Sequence, residues 1–157
     1  MKKILIATSV LAVVAGIAMV GGGTWGIAFT YKNVAQENIT TPSDALIPGV
    51  SVIGPLTLKI QADTIRKHTL NTTGGKVFAE MPRQIPQLDE SGTPVVDEDG
   101  KQLMVANTPR DMWITATTLI TALNLGIISY AFSGLVLFLG FVSIWIGIVF
   151  YALSKKY

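Results

Sequence analysis

From Ile4 to Tyr31 the chain carries no charged side chain, and from Met112 to Ser154 it again carries none. A bilayer core about 30 Å thick is crossed by roughly 20 apolar helical residues, so each stretch predicts a membrane span, and the second is about twice the length needed. Between them the apolar runs shorten and polar residues, Gly and Pro interleave, which predicts a small folded segment over residues 32–108.

Small residues recur at helical spacing in the first stretch: Thr8, Ala12, Ala15, Gly22 and Gly26, with Met19 in phase. Steps of three, four and seven place them on one stripe. Gly22 and Gly26 also form a Gly-x-x-x-Gly pair, a spacing that lets helix backbones approach closely in lipid. A cleaved leader is the other reading, with Gly16-Ile17-Ala18 as its small-residue site. The apolar run continues past that site to Phe29, which favours an uncleaved anchor over residues 1–31.

The second stretch admits one helix or a hairpin of two spans. Gly126, Ser133, Gly140 and Gly147 recur every seven residues, Ala122, Ser129 and Ser143 fill alternate positions, and Val136 is in phase. A hairpin turning near Ser133-Gly134 would have to keep that phase across a turn lacking Pro, Asn and Asp, the usual turn formers. The unbroken register favours one helix over 109–157, roughly 60 Å or more in length. Residues 131–153 would cross the bilayer. The Thr-rich outer half, from Thr115 to Asn124, would pack on the external segment. Thr108-Pro109-Arg110-Asp111 predicts its start, with Thr as N-cap, Pro in the first position and an acid two residues later.

In the central segment, Val50 to Ile60 is rich in β-branched residues and broken at Gly54-Pro55, which predicts two short strands or an edge strand. Ala62 to Leu70 predicts a short helix ended by Asn71 and Gly74-Gly75, and Lys76 to Ala79 a short extended piece. Pro82 to Pro109 is otherwise irregular, but Val95 to Val105 predicts a hairpin with Asp99-Gly100 at its turn. Fewer than about 80 residues cannot easily bury a core alone, so the long helix is expected to supply the missing apolar face. The fold class is therefore an α-helical membrane protein, with two antiparallel transmembrane helices and a small external α+β domain between them.

Charge fixes the orientation. Lys2 and Lys3 precede the first stretch and Lys155 and Lys156 follow the second, while residues 32–111 between the two stretches hold all ten acidic residues. Lysine-rich flanks stay in the cytoplasm, so both termini are expected inside the cytoplasmic membrane and the central domain outside. Trp25 and Trp113 would sit at the outer interface, and Tyr151 and Tyr157 near the inner one. The pI of 8.9 arises in these tails and does not indicate a nucleic-acid partner. The expected partners are the lipid bilayer and another membrane protein or a second copy of the chain. The chain has no cysteine, which removes thiol chemistry and thiolate metal sites.

Candidate chemistry is sparse. Gln61-Ala-Asp-Thr-Ile-Arg-Lys-His68 holds the single histidine. On a helix Asp63 and His68 do not converge, whereas Asp63 and Lys67, four apart, predict a surface pair. One histidine cannot supply the two imidazoles of a facial-triad iron site or of most catalytic zinc sites. Asp97-Glu98-Asp99-Gly100 lacks the ligand spacing of a calcium loop. Asn38-Ile39-Thr40 and Asn71-Thr72-Thr73 match the glycosylation sequon, and Thr73-Gly74-Gly75-Lys76 lacks the spacing of a phosphate-binding loop. No catalytic residue, metal site or cofactor is expected.

Glu37-Asn38-Ile39-Thr40, Gly54-Pro55, Gln61-Ala62-Asp63-x-Ile65-x-x-His68 and Gly75-Lys76-x-Phe78-Ala79-Glu80-Met81-Pro82-Arg83 follow one another in that order. Their order and spacing resemble a family of small actinobacterial membrane proteins of unknown function, across nearly the whole chain apart from residues 84–106. The resemblance implies an N-terminal span, a long C-terminal apolar helix and a cell-envelope setting. Members often carry the label aromatic ring-opening dioxygenase. Extradiol cleavage needs iron held by two histidines and a carboxylate, so that label does not transfer to a chain with one histidine. The expected role is a non-enzymatic accessory or scaffold protein. The alternatives are a ligand-binding or sensing outer domain, or an anchored enzyme using acids near His68.

Overall fold

The computed structural model describes residues 1–156; Tyr157, expected near the inner interface, lies outside the described residues. The elements are α1 (Lys2–Ala35), α2 (Pro55–Thr72), a single 3-10 turn (Phe78–Glu80), β1 (Gln84–Pro86), β2 (Met104–Ala106) and α3 (Thr108–Ser154). The protein is mostly helical, with one small two-stranded sheet. Both α1 and α3 are long and apolar enough to cross a membrane.

The 47 residues of α3 run as one unbroken helix, about 70 Å at 1.5 Å per residue, so the hairpin alternative does not occur. Its start is shifted by one residue from expectation. Asn107, not Thr108, is the N-cap, and its carbonyl accepts the N–H groups of Arg110 (2.9 Å) and Asp111 (3.2 Å). The Asn107 side chain is turned away from the helix and donates to Pro82 O at 2.8 Å. It therefore ties the segment before β1 to the head of α3. The Arg110 guanidinium, 3.9 Å over the Phe78 ring, fastens the 3-10 turn to the same place.

The segment expected as β-strand from Leu56 to Ile60 is helical, because α2 begins at Pro55. Proline in the first position loses no hydrogen bond there. The Thr57 hydroxyl oxygen accepts the N–H groups of Ile53 and Gly54, each at 3.1 Å, and closes the first turn. The piece expected as extended over Lys76–Ala79 contains instead the start of the 3-10 turn.

α2 is held between two surfaces. Leu58, Ala62 and Ile65 face α3 and pack with Val52 and Leu123, with Val34 and Ile39 closing the cluster. Leu58 and Val52 are each only 1% exposed and form its centre. The preceding loop folds over the other side. Thr41 holds this loop shut, its hydroxyl donating to Ile47 O (2.6 Å) and accepting from Val50 N (3.1 Å). Tyr130 of α3 donates to Ile53 O at 2.7 Å, so the long helix supplies both the apolar face and a polar tie.

β1 and β2 pair antiparallel, with Ile85 opposite Val105. Between them the chain makes two turns of one design, Asp89-Glu-Ser-Gly-Thr93 and Asp97-Glu-Asp-Gly-Lys101. In each, an aspartate Oδ1 accepts the N–H groups two and four residues later. The glycines, Gly92 and Gly100, take φ of 79° and 77°, a region closed to most side chains. The Asp97–Lys101 turn lies in the hairpin expected from the sequence.

Candidate functional site

The largest contact in the protein is the antiparallel seam between α1 and α3. Ser9, Gly16, Gly23 and Thr30 of α1 are buried in it, each seven residues after the last. Facing them are Ser133, Gly140, Gly147 and Ser154 of α3, also at sevens. A strict seven-residue repeat keeps two helices in register only if they wind around each other in a left-handed supercoil.

The backbones touch. A Cβ added at Gly16 would lie 2.7 Å from Gly140 O, one at Gly23 2.7 Å from Leu137 N, and one at Gly140 2.8 Å from Val20 N. No side chain fits at these positions, and glycine is what permits the approach. Three hydroxyl contacts cross the seam along its length. Ser9 Oγ donates to Gly147 O (2.7 Å), Ser143 Oγ to Ala12 O (2.8 Å), and Thr30 Oγ1 meets Ser129 Oγ at 2.6 Å. Thr30 also donates to Gly26 O at 2.9 Å, so Ser129 is the donor in the last pair.

Of the residues expected to mediate helix packing, Ser133, Gly140 and Gly147 are buried against α1. Ser129 and Ser143 bond across the seam, and Val136 is half-buried beside it. Gly126 sits where α2 meets the pair, with a Cβ there 3.2 Å from Leu58 Cδ1 of α2 and 3.8 Å from Val34 Cγ2 of α1. Ala122 is exposed and lines a groove. On α1, Gly26 meets Ser133, Ala12 contributes its carbonyl, and Met19 is half-buried. Thr8, Ala15 and Gly22 are exposed, and nothing lies within 4 Å of a Cβ at Gly22. The contact therefore runs one residue further round α1 than the expected stripe, through Ser9, Gly16, Gly23 and Thr30. Trp25 and Trp113 do not share a level either. Gly26 is level with Ser133, and Trp113 stands 20 residues earlier in α3, about 30 Å along its axis.

Where α2 leans on the end of the seam, a groove of about 480 Å³ opens between the three helices. Phe29, Leu125 and Ser129 border its lower end, Leu119 and Ile65 its upper end, and its polar lining is Thr30, Asn33, Glu37, Gln61 and Ser129. The Gln61 Oε1 atom is buried and accepts no hydrogen bond.

His68 lies on the exposed side of α2. Its Nε2 is 2.8 Å from Asp44 Oδ2, and Lys67 Nζ is 3.4 Å from the same oxygen. The expected Asp63–Lys67 pair does not form, since Asp63 bonds Lys59 one turn earlier. Lys67 is drawn instead to Asp44, which the Thr41 loop brings alongside. The hydrogen bond from His68 holds the Asp44 carboxyl below the usual aspartate range, with Lys67 adding to the effect. No three His, Asp or Glu side chains gather in a metal-binding group among the described residues. No family model, curated protein or solved structure matches the chain.

Proposed function

We propose that the protein is a two-span, non-enzymatic accessory or scaffold protein of the cell envelope, with both termini cytoplasmic and residues 32–108 outside. The observation that carries this reading is the arrangement of sizes around the helix pair. Small and hydroxyl residues fill the seam, while large apolar residues point outward, Leu11 at 71% and Trp145 at 68% exposure. A soluble coiled coil does the reverse and buries its large apolar residues in the seam. An apolar outer surface of this extent has a stable place in lipid, where close packing rather than apolar burial joins helices. The lysines at both chain ends support the orientation. The ionisable groups of the outer region support a role in contact rather than chemistry, because they are spread over exposed surface.

Two measurements test the reading together. A thiol-specific reagent that cannot cross membranes should label Asp99→Cys in intact cells and leave Lys156→Cys unlabelled until the cells are opened. A photo-reactive residue at Trp25 or Trp145 should give one discrete protein adduct at fixed stoichiometry. Labelling of Lys156→Cys in intact cells contradicts the topology, and adducts to lipid alone contradict the scaffold role.

A further inference from the structure

We infer that the groove between α1, α2 and α3 is a lipid site, taking an acyl chain of a phospholipid whose headgroup carries a primary ammonium. The inference rests on the membrane reading above. Its first support is continuity. The lower lip, at Phe29, Leu125 and Ser129, lies at the outer end of the apolar helix pair. From Ser129 to Leu119 the groove follows α3 for ten residues, about 15 Å. A chain leaving the outer leaflet could enter it without crossing a polar surface. Its volume of about 480 Å³ falls in the ordinary range of small-molecule sites, roughly 300–1,000 Å³.

The second support is the polar lining, which offers acceptors and lacks cations. Gln61 Oε1 is buried and without a donor. The Asn33 amide nitrogen donates to Phe29 O at 2.7 Å, which leaves its carbonyl oxygen to accept. Glu37 forms no ion pair among the described residues, and no Lys, Arg or His lines the groove. The exposed side chains of Asn33 and Glu37 present oxygens that accept, so a ligand that brings N–H donors suits the site. The Glu37 carboxylate favours a positive head and repels an anionic one, which gives the selection its negative side. A primary ammonium meets both demands. A quaternary ammonium supplies positive charge without donors, and a glycerol head supplies donors but no positive charge and leaves the lipid net anionic.

The test uses the full chain in vesicles containing equal amounts of phosphatidylethanolamine, phosphatidylcholine and phosphatidylglycerol with identical acyl chains. After transfer to mild detergent, native mass spectrometry counts the lipid that stays bound. One phosphatidylethanolamine should be retained, about tenfold over either competitor, as one charge-assisted hydrogen bond would give. Glu37→Gln should bring the preference near parity with unchanged helix content. Ala122→Trp, which fills the groove, should abolish retention of every lipid. Equal retention of the three headgroups overturns the inference, as does a preference that survives Glu37→Gln. Glu37 is exposed, so that variant keeps the test intact if Ala122→Trp fails to fold. Release of the protein from vesicles by alkaline carbonate overturns the membrane reading, and the inference with it. Retention in vesicles without headgroup preference overturns the inference alone.

Discussion

Asp44 is joined to α2 by two neighbouring donors, His68 and Lys67. This clasp holds the Thr41 loop over the helix at its exposed edge. Its carboxyl titrates below the usual value of 3.8, chiefly through the His68 hydrogen bond. A carboxyl with a depressed folded-state pKa adds stability above its unfolded value, and that stability disappears as pH falls through the folded value. The loop should therefore stay clasped at neutral pH and loosen only in acid, below about pH 3.8. Carboxyl chemical shifts followed by NMR should place the Asp44 midpoint low in the native protein and nearer the ordinary value in His68→Ala. An unchanged midpoint in that variant contradicts the assignment. At this scale the sequence was partly legible. Asp99-Gly100 announced its turn because few residues other than glycine tolerate φ near 80°. Its twin, Asp89 to Thr93, repeats the Asp-Glu-x-Gly pattern eight residues earlier but was hidden in a stretch read as irregular from its prolines.

The elements repeat the lesson with more at stake. The stripe on α3 was readable because Gly126, Ser133, Gly140 and Gly147 keep one phase and their neighbours are large. On α1 small residues occur nearly all round the helix, so spacing alone did not choose a face. The seven-residue series decides it. Thr8, Ala15 and Gly22 lead to the bulky Phe29, whereas Ser9, Gly16 and Gly23 lead to Thr30, so only the second series stays small to the C-terminal end of α1. α2 was missed at its start because Leu, Thr and Ile suggest a strand, while Pro55 and Thr57 form the helix's first turn. Tertiary context prevailed over propensity there, through burial of Leu58 against Val52 and Leu123. The seam makes a paired prediction. Gly140→Ala forces a Cβ against the backbone at Val20 and Gly16, an overpacking of the kind that costs about 1–3 kcal/mol. Gly22→Ala adds the same atom in open space within a helix and should leave stability unchanged or raise it by up to about 1 kcal/mol, since alanine favours a helix interior over glycine. Unfolding in detergent micelles, followed by circular dichroism, checks the contrast, and equal effects would contradict the register.

In the whole molecule, two long helices brought backbone to backbone carry a small region between them whose core they complete. The segment between them cannot bury Val52 and Leu58 without Leu123 and Tyr130 of α3, so the helix pair and that segment stand or fall together. The long-helix architecture was legible in charge-free length and seven-residue phase. The groove was not, because Asn33, Glu37, Gln61 and Ala122 meet only when α2 crosses the pair, and no local pattern encodes that crossing. The central claim is an antiparallel helix pair, long and apolar enough to cross a membrane, joined at one end by Thr30 and Ser129. The absence of native cysteine allows it to be tested directly. Thr30→Cys with Ser129→Cys replaces two oxygens 2.6 Å apart, a separation within reach of a disulfide after small side-chain adjustment. In membranes treated with a mild oxidant, this pair should form an intramolecular disulfide in high yield, at the mobility of a single chain. Gly21→Cys, on an open face, should form none with Ser133→Cys. Disulfides only between chains, or equal yields from both pairs, would contradict the account.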